Sequence, residues 1–149
     1  MSPEAVLDDL PPALAELVED FNAVSAKERL QLLLELSDEL PALPERFAGG
    51  LADMEQVHEC QSPLFLAVEV SEGVVHVFFD APPESPTTRG FAGILHTGLD
   101  GLSPSEVLAV PDDAPYRFGL GEAVSPLRLR GMLAMLARIK RQVRERVSP

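Results

Sequence analysis

Of the 149 residues only one, Cys60, is a cysteine, and tryptophan is absent. A single thiol excludes an internal disulfide, a CxxC redox pair and a multi-cysteine zinc or iron–sulfur site. Any thiol chemistry must therefore use one sulfur and a second molecule. Long apolar runs are also missing: none approaches the roughly 20 residues needed to span a bilayer, and no membrane partner is expected. The first ten residues hold Glu4, Asp8 and Asp9 but no base. That does not match the basic start of a signal peptide, so a cytoplasmic location is expected. Bases are scarce through most of the chain. Residues 1–125 contain 5 Lys/Arg against 23 Asp/Glu. Nucleic-acid affinity comes largely from counterions displaced by a basic surface, so no nucleic-acid partner is expected of such a body. Glycine-rich phosphate loops, nucleophile elbows and HExxH motifs do not occur.

What is present fits one soluble domain. Residues 1–12, ending in Pro11-Pro12, read as a loosely ordered tail, and residues 13–149 as a single domain. Ala13 to Phe21 has the spacing of a short amphipathic helix. Ser25-Ala26-Lys27-Glu28 is a capping box that opens a second helix, which runs to about Leu40. Leu30, Leu33, Leu34 and Leu36 are its expected buried stripe. Pro41 to Glu59 has little periodicity and reads as a loop with one short strand near residues 56–58. Leu64–Val70 and Val74–Phe79, joined by Ser71-Glu72-Gly73, predict an antiparallel hairpin. Ser85-Pro86, Ser103-Pro104 and Ser125-Pro126 each have the form of an N-cap followed by proline at the first helical position, and Ser103-Pro104-Ser105-Glu106 is a second capping box. Gly90 and Gly93, inside the helix after Ser85, suggest close packing against the sheet. Leu129, Met132, Leu136, Ile139, Val143 and Val147 mark a long last helix. Residues 126–149 invert the charge balance, with 7 Lys/Arg against 1 Asp/Glu within a net −12. Those bases read as the solvated face of that helix, favouring its C-terminal dipole end. The pattern predicts an α+β fold, a small antiparallel sheet packed against helices.

Three histidines and one cysteine are the soft ligands available. His58-Glu59-Cys60 is too tight for an ordinary chelate, and His76 and His96 fall in a strand and a helix, so neither metal nor cofactor is expected. Cys60 has two readings. Free cysteine is often a small core hydrophobe. This one, however, lies between polar Glu59 and Gln61-Ser62, where a loop meets the hairpin, and loops on rigid scaffolds are where reactive groups tend to sit. Reaction requires thiolate, which an acidic protein disfavours and a helix N-terminus or nearby arginine favours. Arg128 stands in the first turn of the last helix, where a cation is not favoured by the dipole; holding an anion there would explain it. A self-contained cysteine hydrolase would need an oriented histidine, and no motif supplies the orienting acid.

Taken together, the residues resemble the SufE family of cysteine-desulfuration proteins from about Leu14 to Val143. The resemblance rests on Arg29 to Leu40-Pro41, on Glu59-Cys60-Gln61-Ser62 running into an apolar strand, and on Thr87-Thr88-Arg89-Gly90. Its last part is Ser125-Pro126-Leu127-Arg128-Leu129-Arg130-Gly131 leading into Met132-Leu133-Ala134-Met135-Leu136. It implies a SufE/NifU-like fold with a long C-terminal helix. It also implies a sulfurtransferase-type carrier working as accessory to a pyridoxal-phosphate (PLP)-dependent cysteine desulfurase and delivering sulfur to an iron–sulfur scaffold complex. On this reading Cys60 is the persulfide acceptor, Arg128 matches an arginine that lines the cysteine pocket, and Glu84 stands where relatives commonly have aspartate, with a part in holding or releasing the cysteine loop. Two departures stand out. Many relatives have Gly where this chain has Glu59, and the histidine before the Ser-Pro turn is replaced by Ala123, so no general base is assigned there and His58 is a candidate substitute. The alternative is an interaction protein that activates its partner without using Cys60 chemically.

Overall fold

The computed structural model describes residues 9–47, 54–60 and 62–147. Among the described residues the α-helices and strands are, in chain order, α1 (Pro12–Asn22), α2 (Ala26–Glu39), β1 (Glu55–Gln56), β2 (Phe65–Ser71), β3 (Val74–Asp80), α3 (Pro86–Leu99), α4 (Pro104–Leu108) and α5 (Pro126–Val147). The architecture is α+β, as the sequence predicts. Both capping boxes form, at Ser25/Glu28 and Ser103/Glu106. Ser125 Oγ accepts from the Arg128 amide at 3.3 Å, capping α5 as expected.

The sheet order is β1-β2-β3, antiparallel throughout, with Leu66 opposite Glu55 on one side and Phe79 on the other. Glu72 and Gly73 make the hairpin turn with φ of 52° and 78°, a left-handed pair whose twist suits the strands it joins. Alternation decides the faces. Leu66, Val68, Val75, Val77 and Phe79 enter the main core, covered by α3 against β3 and α5 against β2. Ala67, Phe65 and Phe78 turn the other way and join Phe47 and Met54 in a small second cluster. Arg46 lies over the rings of Phe47 and Phe78 there, 5.2 and 5.1 Å from their centroids, a favourable cation–π placement.

Gly90 and Gly93 permit close packing, but against α2 rather than the sheet. A Cβ at position 93 would lie 2.5 Å from the Leu36 carbonyl oxygen, and one at 90 would lie 2.5 Å from Leu33 Cγ. That approach rotates α2 so that Leu33 and Leu36 are buried while Leu30 is 38% exposed, correcting the four-leucine stripe. The short strand is Glu55–Gln56, one residue earlier than expected. Of residues 1–12, residues 1–8 lie outside the described part; Leu10 is buried and Asp9 binds Arg117 at 2.6 and 2.9 Å.

Two arginines on which the resemblance rests act as internal staples. Arg29 donates to the carbonyls of Phe21 (2.8 Å) and Gly119 (3.1 Å) and to Glu122 (2.6 Å). It thereby ties the α1 end to the segment that leads into α5. Arg89 donates to Ala81 (2.7 Å) and Ser37 (3.3 Å) carbonyls, fixing the β3–α3 connection to α2. No helix among the described residues is long and apolar enough to cross a membrane.

Candidate functional site

Cys60 lies on the connection between β1 and β2. The strand ladder extends one step past the sheet, with the Val57 amide donating to the Leu64 carbonyl at 2.9 Å, and this draws together the two ends of the segment that carries Cys60. Inside it the Cys60 amide donates to the Val57 carbonyl at 3.2 Å, making a turn. The loop is therefore short and attached at both ends to a rigid sheet.

Its underside rests on one stripe of α5. A Cβ at Gly131 would stand 2.9 Å from Cys60 Sγ, so the sulfur occupies the space that a larger residue would fill. Two turns further on, Arg138 binds Glu59 at 2.8 Å and Glu55 at 3.2 Å. Arg141 and Gln142 also hold Glu55, Gln142 at 2.9 Å. Gln142 and Arg146 then complete the outer edge of β2 at Val68, at 2.9 and 3.1 Å. The basic end of the last helix, expected to be a solvated face, is thus in good part an internal clamp. On the far side of the loop Ser85 Oγ donates to Ser62 Oγ at 2.7 Å. This hydroxyl does not cap α3; it fastens the cysteine loop instead.

The thiol is half-buried. Burial, then the neighbouring Glu59 charge, push its pKa up to about 11, with only Arg138 acting in the opposite direction. The expectation that a helix start or Arg128 would lower it is therefore not met in this conformation. Glu59 itself is held below the usual carboxylate range by its hydrogen bond from Arg138.

No hydrogen bond or ion pair joins the other residues singled out in the sequence to Cys60 among the described residues. Arg128 is exposed, and its guanidinium makes no hydrogen bond or ion pair with the described residues. It precedes Gly131 by three positions and so shares that helix face. Glu84 is exposed in the turn closed by the Ser85 amide on the Pro82 carbonyl (3.1 Å); it adjoins Ser85 and forms no bond of its own among the described residues. His58 is exposed and interacts with the Glu59 charge, but makes no hydrogen bond to Cys60 among the described residues. His76 and His96 flank Asp100 at 3.7 and 3.9 Å, and among the described residues no three His, Cys, Asp or Glu are grouped to hold a metal.

Sequence reasoning missed Gly131, Arg138 and the Ser62–Ser85 bond. A glycine inside a strongly helical pattern, where it costs about 1 kcal/mol relative to alanine, was a signal for close approach. The Glu59–Arg138 pair spans 79 positions, and no local pattern announces it.

Residues 15–143 match the family model named SufE, an Fe-S metabolism associated domain. The chain belongs to the SufE family. Membership supports a role in iron–sulfur metabolism. An uncharacterized SufE-like protein of Mycobacterium tuberculosis is 56% identical over 137 residues, covering 91% of this chain and 94% of that one. SufE-like protein 1, chloroplastic/mitochondrial, of Arabidopsis thaliana is 30% identical over 131 residues, 87% of this chain but 34% of the plant protein. A solution structure of a hypothetical protein from Thermus thermophilus superposes with a TM-score of 0.82 at 41% identity, covering 94% of this SufE-family chain and 99% of that one.

Proposed function

We propose that this SufE-family protein is a sulfur carrier. Cys60 takes a sulfur atom from the persulfide of a PLP-dependent cysteine desulfurase, stimulating its turnover, and passes that sulfur to an iron–sulfur scaffold complex. The observation that carries this reading is a lone thiol on a short loop held against a helix by contacts that can be exchanged. Its unpaired state suits the cytoplasm, where thiols are kept reduced.

The transfer is thiol exchange. Cys60 loses its proton, and its thiolate attacks the outer sulfur of the donor's persulfide. A new S–S bond forms on Cys60 while the donor's S–S bond breaks, and the donor cysteine leaves as thiolate. No second cysteine is present to expel the sulfur by closing a disulfide. In the docked-down position burial opposes the first step. Release of the loop from burial would favour the thiolate, and on this reading loop movement is part of the reaction. Arg128, exposed on the same α5 face as Gly131, is assigned to the anionic thiolate or persulfide once the loop has lifted. Glu84, beside Ser85, is assigned to loop release, and His58 to the proton.

Mass spectrometry after incubation with desulfurase and free cysteine tests the reading. One sulfur atom gained on Cys60 is expected; none gained refutes it. The protonated, half-buried thiol favours a second reading, in which docking alone activates the partner. Cys60→Ser separates the two, because an activator of that kind retains full stimulation of the desulfurase.

A further inference from the structure

The Glu59–Arg138 contact is asymmetric in a way that a merely structural ion pair need not be. Arg138 is the anchored end: its side chain is 20% exposed and, besides Glu59, it has Glu55 at 3.2 Å and the Ala134 carbonyl at 3.5 Å. Glu59 is the loose end. Its side chain is 47% exposed, and Arg138 is its only ion-pair partner among the described residues. Removing Glu59 leaves Arg138 paired with Glu55, and Glu55 keeps Arg141 and Gln142. The clamp on β1 therefore survives loss of the loop contact.

Position adds a second point. A carboxylate bonded through one peptide unit to a nucleophilic cysteine opposes the charge that the thiol must acquire. Arg138 compensates only while the loop is down, when the sulfur is pressed against Gly131. A loop that lifts alone carries an unpaired carboxylate into the reaction. A loop that lifts onto a cation does not.

We infer that Glu59 is the handle by which the sulfur donor opens the cysteine loop: an arginine or lysine beside the donor's persulfide takes Glu59 from Arg138 and draws Cys60 off α5. The inference rests on the sulfur-carrier reading and names the chemistry its partner must present. Glu59 acts as a positioning and specificity residue. Arg138 is the holding group against which the donor competes.

Two variants pull the two ends apart. Both are read by the alkylation rate of Cys60 with iodoacetamide in the free protein, and by KM and kcat for the persulfide-loaded desulfurase. Glu59→Gln and Arg138→Gln each break the ion pair, so both should speed alkylation about three- to fivefold, the range of an exposed pair. Their effects on docking should then diverge. Glu59→Gln loses the handle and raises KM about tenfold. Arg138→Gln frees the handle and lowers KM about threefold. Unchanged thermal midpoints show that neither variant simply misfolds, and Arg138→Lys, which keeps the charge, should restore slow alkylation if one does. Equal shifts of KM in the same direction, or alkylation unmoved in both variants, overturn the inference while leaving sulfur transfer intact. Absence of sulfur uptake by the unaltered chain overturns the carrier reading and removes the donor from this one.

Discussion

The β2–β3 hairpin and the cysteine loop adjoin in the chain but are held by different forces. In the hairpin Leu66, Val68, Val75, Val77 and Phe79 are each 3% exposed or less, and burial of a side chain of that size stabilises by about 1.5–3 kcal/mol. Besides the packing of half-buried Cys60 against the main core and Gly131, the loop has a half-exposed ion pair, Glu59 to Arg138, and one hydroxyl bond, Ser62 to Ser85. Such contacts contribute about 0.2–1 and about 1 kcal/mol respectively. The difference means that the loop can leave its seat without the hairpin melting. A carrier that must shelter its sulfur between partners and expose it to each of them needs that separation.

The largest expected effect removes the loop's chemistry and leaves the hairpin alone. Cys60→Ser should abolish sulfur uptake entirely, read by mass spectrometry, while the circular dichroism spectrum stays that of the parent. Next is the pH dependence of the thiol. Alkylation of Cys60 in the folded protein should keep rising up to about pH 11, whereas in urea it should level off near the ordinary 9.0. The sign for stability follows from linkage: a thiol whose folded pKa is raised contributes stability below its unfolded value and loses it as pH climbs to the folded one. Denaturation midpoints should therefore fall between pH 9 and 11, and the part of that fall due to Cys60 should vanish in Cys60→Ser. A folded-state profile that levels off at the ordinary value would mean the loop is already lifted in solution.

Two glycines sharpen the comparison further. Gly93→Ala drives a methyl into the Leu36 backbone, where neither helix can yield, and should destabilise by about 1–3 kcal/mol. Gly131→Ala meets a sulfur on a movable loop instead. It should push Cys60 outward and speed alkylation about tenfold, the loop shifting because it is weakly held. The helix itself should gain up to about 1 kcal/mol from the better helix former. Opposite shifts of the thermal midpoint are the readout, and a Gly131→Ala protein destabilised as much as Gly93→Ala would mean that the loop belongs to the rigid core.

The same divide explains what could be read from the sequence. Elements set by local rules were legible: both capping boxes, the two-strand run around Glu72-Gly73, and the steps of three and four along α5 from Leu129 to Val143, only the terminal Val147 of that stripe being exposed. Leu30 failed because the helix rotation is set by the distant glycines 90 and 93. At the site, Cys60 was visible from its polar neighbours, and Arg128 and Glu84 came through family resemblance. The seat was not. Gly131, Arg138 and Ser85 reach the loop across 71, 78 and 23 positions of chain, as counted from Cys60, Cys60 and Ser62, and only the fold brings them there.

Salt should produce the smallest effect, and it tests the electrostatic half of the seat by itself. The Debye length shortens from about 10 Å at 0.1 M to about 3 Å at 1 M, so the Glu59–Arg138 pair, open to solvent on the glutamate side, should weaken. The hairpin, held by apolar contacts, should be unmoved or slightly strengthened by a salt such as sulfate. Cys60 alkylation with a neutral reagent should accordingly rise about twofold between about 0.1 and 1 M sodium chloride, and Glu59→Gln, which lacks the pair, should show no such rise. A salt response equal in both proteins would place the hold on the loop in the Ser62–Ser85 bond and the fit of sulfur against Gly131, and would leave Glu59 without a holding role.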